Sequence, residues 1–351
     1  QTQVLADPRL HLVFGNNEEE VAARIQASLK PFGDPSTPFQ VLFHNPSFQC
    51  LPPEFPRIAT ALEMLLMERR FPTVLGDKEE INYLYNQNLT RITPGINRLK
   101  GTHQGRIAVL ASAGPSLDNA LPYLRSLGNG AVIACVDTAL SILSREGIVP
   151  DYVFSLDPQD ISIHHFRVPV APKTRLIFTP TVCAQIAHGF PHDKFVVFKE
   201  GHRLFREKID LLNEKGTTPA GGSVACMGLD VLIQMGCNPI LLTGQDCAFT
   251  GGRTYSRWAR TCLGHIDQID RVQTLDASHL LDRRRGKQLT VQRTDGGDVP
   301  TSQVMYGYLR GIEEIAREHP DVRIYNVASQ GARIDHVSTL GSIGELVRLM
   351  N

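Results

Sequence analysis

Long apolar runs are missing from this sequence: no stretch approaches the roughly 20 residues that a membrane-spanning helix needs. Charge of one sign is missing too. Lys plus Arg and Asp plus Glu each number 36. That balance argues against a chain-wide electrostatic footprint for nucleic acid or anionic lipid, so neither is an expected partner. Paired cysteines are absent. The thiols Cys50, Cys135, Cys183, Cys226, Cys237, Cys247 and Cys262 are seven in number and form no C-x-x-C. Their apolar surroundings (IACVD, VACMG) speak against a disulfide framework or a zinc cage. Reduced thiols in a soluble cytoplasmic protein are the expectation. The chain opens at Gln1 with no Met, basic leader or apolar signal stretch, and an amino-terminal piece is expected to have been removed. G-x-x-x-x-G-K-[ST], G-x-G-x-x-G and H-E-x-x-H are all lacking, which excludes an ordinary P-loop kinase, a standard dinucleotide enzyme and a zincin.

What is present suffices for one large core plus a small module: 351 residues, 42% of them hydrophobic. Residues 1–100 read as an amino-terminal module with strand candidates at 11–15 and 41–47. Helices are expected over EEEVAARIQASL, with Asn17 as N-cap, and around 57–70. A further helix, DKEEINYLYNQNLTRITPGINRL, stops at Pro94 and Gly95 and would connect to the main domain, 101–351. From Arg106 onward, apolar strands alternate with helices: RIAVLAS, AVIACVD, PDYVFSLDP, RLIFT, FVVFKE, NPILLTGQD and VRIYNVA. Continuous apolar strands separated by helices predict a Rossmann-like α/β fold, a mostly parallel sheet with helices on both faces. The polar stretch at about 254–298 reads as a β-hairpin or mobile flap. Its Arg283–Arg285 run is a solvated face or a phosphate clamp.

In such sheets ligands bind outside the carboxyl ends of the strands, where the strand order switches. Those ends carry Gly114-Pro115-Ser116, Asp137, Asp157 and Gly244-Gln245-Asp246. A glycine turn running into a helix offers free N–H groups and a positive dipole end to a phosphate; the alternative is a plain turn with Ser116 as cap. Gly221-Gly222-Ser223, opening the helix SVACMGLDVLIQMG, makes a second such seat. The carboxylates suit metal binding, a ribose hydroxyl or base catalysis, or they cap their own turns. Asp157 has the better functional case, because Pro158 offers it no N–H. His164 and His165 follow that turn and are expected in a solvated loop.

These segments resemble a known family. AGPSLD, VDTALSILSREGIVPDYVFSLDPQD, GGSVACMGLDVLIQMGCNPILLTGQDCAFTGGRTY and NVASQGARI, in this order over about 106–334, resemble the motility accessory factor proteins. Those share a broad family with the archaeal 6-hydroxymethylpterin diphosphokinases. The resemblance implies a glycosyltransferase that moves a nonulosonic, sialic-acid-like sugar (pseudaminic or legionaminic type) from a CMP donor to Ser or Thr hydroxyls of flagellin, in the cytoplasm of a flagellated bacterium. Its sialyltransferase-like domain would hold CMP at Gly114, Pro115, Ser116, Gly221, Gly222 and Ser223, with Asp137 and Gln245 nearby. Asp246 and Asp157 are the expected catalytic carboxylates. Many relatives have a His after the Gly-rich turn where this chain has Tyr255, a candidate phosphate ligand. No cofactor or metal is required for sugar transfer. Under the alternative, diphosphokinase chemistry, Asp157 and Asp246 would hold Mg²⁺ against ATP. A third reading is a flagellin-binding accessory protein without catalysis.

Overall fold

The computed structural model describes residues 12–29, 75–219, 222–259, 289–327, 330–341 and 345. The chain divides into two compact units, Gln1–Val74 and Leu75–Asn351. In the first, α1 (Glu18–Leu29) begins where expected. Asn17 Oδ1 accepts the Glu20 N–H at 2.9 Å, and the Glu20 carboxylate accepts the Asn16 N–H at 3.0 Å. This reciprocal pairing satisfies two amide donors that the first turn would otherwise leave open. Residues 12–15 form no strand, contrary to expectation, despite their apolar character; His11 and the elements expected at 41–47 and 57–70 lie outside the described residues.

The second unit opens with a helix over 75–92 (α2) and a 3₁₀ turn, Ile96–Leu99. Asn82 and Asn86 lie on its buried face. Asn82 Nδ2 donates to the Pro158 carbonyl at 2.8 Å, and Asn86 Nδ2 to the Pro180 and Val182 carbonyls at 3.0 and 2.9 Å. Both therefore satisfy loop carbonyls at the carboxyl end of the sheet.

That sheet has eight strands. They are β1 (Ala108–Ala111), β2 (Val132–Val136), β3 (Tyr152–Ser155), β4 (Arg175–Phe178), β5 (Lys194–Val196), β8 (Ile240–Thr243), β11 (Ile324–Val327) and β12 (Ser338–Thr339). The order is β12-β11-β8-β1-β2-β3-β4-β5, and every pairing is parallel. The chain steps outward from β1 to β5, then returns to the other side of β1 with β8. The switch in strand order therefore falls between β1 and β8, with Val109 opposite both Ile133 and Leu241. The central strands AVLA, VIACV, YVFS and ILLT are buried throughout, because helices cover both faces.

The helices are α3 (Leu117–Leu127), α4 (Asp137–Arg145), α5 (Ala184–Gly189), α6 (Ile209–Lys215), α7 (Val224–Gln234) and α8 (Gln303–Glu318). α7 lies across β1, β2 and β3. Gly228 permits the close approach: a Cβ there would stand 2.9 Å from Leu110 and 3.1 Å from Phe154. Since α7 leads down to the start of β8, its own start lies at the carboxyl end of the sheet. α8, capped by the Ser302 hydroxyl on the Met305 N–H at 3.2 Å, packs against α7.

FVVFKE, expected as one strand, is two. After β5 pairs with β4, Phe198–Lys199 (β6) leaves the main sheet for Thr217–Thr218 (β7), because β4 offers no partner beyond Phe178. Within the expected flap, the described part is an antiparallel hairpin of Leu289–Gln292 (β9) and Asp298–Thr301 (β10). Arg283–Arg285 lie outside the described residues.

Candidate functional site at the strand-order switch

The turns after β1 and β8 interlock at the switch point. Gly114 N–H donates to the Gly244 carbonyl at 2.9 Å. A Cβ on Gly114 would lie 2.4 Å from both Asp246 Oδ2 and the Gly244 oxygen. Gly244 itself has φ +68°, and a Cβ there would fall 2.0 Å from the Ser112 oxygen. Ser112 Oγ donates to Gln245 Oε1 at 2.7 Å. Next to them, the Ser116 N–H and Oγ–H both donate to Asp246 Oδ2, at 3.0 and 2.7 Å.

Asp246 thus stands in the helix-start seat where a phosphate was expected. The dipole and N–H groups that favour an external anion there favour this internal carboxylate equally. Ser116 makes no side-chain cap for α3, its hydroxyl going to Asp246 instead. Asp246 is 2% exposed. Burial pushes its carboxyl up, and the Ser116 hydrogen bonds act against that shift. Its Oδ1 has no hydrogen-bond partner among the described residues. Backbone contacts hold it from behind: Ala332 N–H donates to its carbonyl at 2.8 Å, and Gly331 leaves only 2.9 Å for a Cβ. Cys247, next in sequence, takes φ +50°, and its Sγ receives Gln245 Nε2 at 3.1 Å.

The second expected seat, the start of α7, differs. Gly222 is exposed with φ +85°, and the Ser223 Oγ caps the helix by accepting the Cys226 N–H at 3.1 Å. No internal carboxylate enters this turn among the described residues; Gly221 lies outside them.

Asp137 opens α4. Its Oδ1 accepts the Thr138 N–H at 2.7 Å and its Oδ2 the Ser155 hydroxyl at 2.8 Å. Burial pushes the carboxyl up to about 7; the Ser155 hydrogen bond opposes this, and the neighbouring Asp157 carboxylate adds to it. Asp157 is half-buried and, against the argument from Pro158, caps its own turn. Its Oδ1 accepts the Gln159 N–H at 2.9 Å and its Oδ2 the Ser162 hydroxyl at 2.6 Å. The capping donors simply lie two and five residues on. His165 is buried in the short 3₁₀ helix Asp160–Phe166 rather than solvated.

Two functional candidates escaped the sequence reading. Asp118, within AGPSLD, accepts Arg253 Nη1 at 3.0 Å and the Ser256 hydroxyl, and Arg257 approaches at 3.6 Å. With Ser256 N–H on the Ala113 carbonyl at 2.7 Å, these bonds fasten the Gly-rich loop, including half-buried Tyr255, over the first turn. Tyr308, one turn beyond Val304 on α8, is half-buried and packs against the core. Asp157, Cys226, Cys247 and Asp137 all bear electrostatically on its phenol, which burial and these neighbours push up. Its helix packs against α7, and its main-chain oxygen lies 3.8 Å from the Sγ of Cys226 in the first turn of α7. A tyrosine on the apolar stripe of an amphipathic helix was the available signal. Among the described residues, no group of three or more His, Cys, Asp or Glu side chains is placed to hold a metal ion, and no helix is long and apolar enough to cross a membrane. Cys135, Cys183, Cys226, Cys237 and Cys247 are buried free thiols; Cys50 and Cys262 lie outside the described residues.

Comparison with known proteins adds family context. Residues 82–252 match the family model described as 6-hydroxymethylpterin diphosphokinase MptE-like. A stretch of 91 residues, 25% of this chain, is 33% identical to an uncharacterized protein of Treponema pallidum (strain Nichols) and covers 40% of it. The solved structure of the MAf glycosyltransferase from Magnetospirillum magneticum AMB-1 aligns with 76% of this chain at a TM-score of 0.56 and 18% identity. The chain spans 38% of that protein's length. The structural likeness is one of fold. The family-model match supports the resemblance to the MptE-like proteins, and the structural match shows a fold shared with the MAf glycosyltransferase.

Proposed function

We propose that this chain is a glycosyltransferase of the motility accessory factor type. It would transfer a nonulosonic sugar from CMP to Ser or Thr hydroxyls of flagellin in the cytoplasm. The observation that carries the reading is the convergence of α7's start, Asp137 and Asp157 beside a strand-order switch. That supplies one anion seat and several hydroxyl acceptors in one cleft. Asp246 fills the first helix-start seat, so the nucleotide phosphate goes to the second, at Gly222 and Ser223; Gly221, expected beside them, lies outside the described residues.

In this reading the acceptor oxygen attacks the anomeric carbon, and the bond from that carbon to the phosphate oxygen breaks. CMP departs as a phosphomonoester, its developing charge met by the fixed N–H dipoles at the start of α7. The acceptor proton passes to a carboxylate. Asp157 is half-buried and keeps lone pairs beyond its two capping bonds, so it is the base. Asp246 is sealed in and bonded twice to Ser116, so it positions the β1 and β8 turns. Gly114, Pro115 and Gln245 build those turns, and Tyr255 belongs to the loop that covers them.

The MptE-like match favours a second reading, ATP-dependent diphosphoryl transfer to a pterin. Mg²⁺ needs only one or two carboxylates besides phosphate oxygens, and half-buried Asp157 would supply one, whereas Asp246, the other carboxylate expected to hold it, is sealed in. Calorimetry with CMP, CMP–N-acetylneuraminate and ATP–Mg²⁺ separates the readings. Binding of CMP and its sugar is the expected result. ATP–Mg²⁺ binding without a CMP response overturns the first reading, and silence towards all three leaves a non-catalytic flagellin-binding role.

A further inference from the structure

Asn82 and Asn86 stand one turn apart on the buried face of α2, and both give their amides to loops at the carboxyl end of the sheet. They differ in what they hold. Asn82 Nδ2 donates to the Pro158 carbonyl at 2.8 Å and to the Thr181 carbonyl at 3.3 Å, and its Oδ1 accepts the Ala184 N–H at 3.3 Å. Asn86 Nδ2 donates to the second loop alone, at the Pro180 and Val182 carbonyls, and its Oδ1 has no partner among the described residues. Pro158 follows Asp157, whose own carbonyl accepts the Cys183 N–H at 3.0 Å. Two successive carbonyls of the Asp157 turn are thus held, one by the loop after β4 and one by Asn82, which also ties that loop.

We propose that Asn82 is a positioning residue for Asp157: it fixes the turn on which the carboxylate stands, while Asn86 only fastens α2 to the sheet. The carboxylate's own hydrogen bonds do not fix that turn. Gln159 N–H and the Ser162 hydroxyl orient the carboxylate, but both donors belong to the segment that carries it and move with it. An anchor has to come from outside. Pro158 has no N–H, so its main chain offers only the carbonyl to an anchor. Lys78, one turn earlier on α2, also reaches the segment, at Asp160 Oδ2 (2.8 Å), but both partners are exposed and such a pair fixes little. Buried Asn82 is the stronger anchor, since an unpaired carbonyl is costly away from water. The amide suits the task. It donates to two carbonyls and accepts an N–H at the same time, which neither a hydroxyl nor a carboxylate can do.

This role rests on Asp157 being the base of sugar transfer, as proposed above, and the two fail by different results. Asn82→Ala and Asn86→Ala each strip two carbonyls of their donor, so both should lower the melting temperature. Asn82→Asp and Asn86→Asp match the parent side chains in shape, remove the same donors, and serve where an Ala variant does not fold. Transfer is measured with CMP–N-acetylneuraminate and a Ser/Thr acceptor peptide, well below the melting temperatures. The Asn82 variants should lose kcat by about 10–100-fold, the effect of a base misplaced by about 1 Å, with CMP affinity unchanged by calorimetry. The Asn86 variants should stay within about threefold of the parent, since their partners do not touch the Asp157 turn. In an Asp157→Asn background the Asn82 substitution should cost nothing further, because a residue that acts through another has no effect once that other is gone. Amide exchange gives a reading independent of turnover: the Gln159 N–H, bonded to Asp157 Oδ1, should exchange faster in the Asn82 variants than in the Asn86 variants. Equal kcat losses at Asn82 and Asn86, a full additional loss in the Asp157→Asn background, or equal Gln159 exchange overturns the positioning role and leaves the base reading intact. Asp157→Asn transferring like the parent, or a parent that transfers nothing from this donor, overturns the base reading and the positioning role with it.

Discussion

Asp246 is the residue at which scaffolding and chemistry part most cleanly. Asp246→Ala deletes both acceptor contacts to Ser116, at 3.0 and 2.7 Å, and leaves a buried N–H and O–H unpaired. Each orphaned donor costs about 1–3 kcal/mol. Removing a carboxylate whose ionised form burial disfavours offsets part of this. The net is on the order of 2–4 kcal/mol, a fall in melting temperature of roughly 3–7 °C for a unit of this size. Asp246→Asn keeps a carbonyl oxygen for both donors, so its stability should stay within about 1 kcal/mol of the parent. The pH dependence has a definite sign. A raised carboxyl pKa means the folded state holds a proton that the unfolded chain releases, so stability falls as pH rises from about 4 through the folded value. Asn lacks that slope and gains on the parent with rising pH. The checks are thermal unfolding from pH 4 to 8 and sugar transfer to an acceptor peptide. Transfer by Asp246→Asn should remain within about tenfold, since the proposed reading gives the acceptor proton to Asp157. A well-folded Asn variant that loses transfer by 10²-fold or more, the range of a general base, would refute the positioning role. An Ala variant that melts with the parent would refute the tether.

Asp137, pushed up to about 7, gives the clearest pH signature. Asp137→Asn should be more stable than the parent above pH 7 by on the order of 2–4 kcal/mol, the gap closing towards pH 4 where both folded and unfolded Asp are protonated; a gap independent of pH in denaturant titrations contradicts this. Gly114→Ala places a Cβ 2.4 Å from Asp246 Oδ2 and the Gly244 oxygen. It should cost about 2–3 kcal/mol in thermal unfolding, and an unchanged melting temperature would show that the turns are not in close contact. Ser223→Ala removes the cap of α7 and should cost about 1 kcal/mol of stability. It should also weaken CMP more than Ser116→Ala does, since the Ser116 hydroxyl is engaged with Asp246; calorimetry showing the reverse order would return the phosphate to the first turn.

The sheet was legible because its strands are wholly buried. AVLA, VIACV, YVFS and ILLT announce themselves as short apolar runs between helices, and a two-faced parallel sheet is what buries such runs. Where that signal fails, so does the reading. Thr217–Thr218 and Ser338–Thr339 are two-residue polar strands, set by backbone pairing with the preceding strand and not by an apolar run. Residues 12–15 carry the apolar signal and form no strand, since pairing and not composition makes one. At the site, each turn was readable alone, but not what fills it. Ser116 and Asp246 are 130 positions apart, and only the β1–β8 pairing brings a carboxylate into the first helix start. The Asp157 turn was misjudged for a local reason: Pro158 offers no N–H, yet Gln159 and Ser162 supply both donors.

The occupied first seat has a consequence for how ligands lie in this fold. A doubly wound sheet ordinarily offers the crevice at its switch point to the ligand's phosphate. Here the turns after β1 and β8 are locked together by Gly114, Gly244 and the Ser116–Asp246 bonds, and the anion that suits that crevice is the protein's own. The nearest alternative is the start of α7, which crosses from β1 over β2 to β3. In the proposed reading, displacing the phosphate in that direction would move the rest of the ligand towards Asp137 and Asp157. One internal carboxylate at the switch point therefore acts twice: it tethers the two turns, and it closes the first helix start to an outside anion.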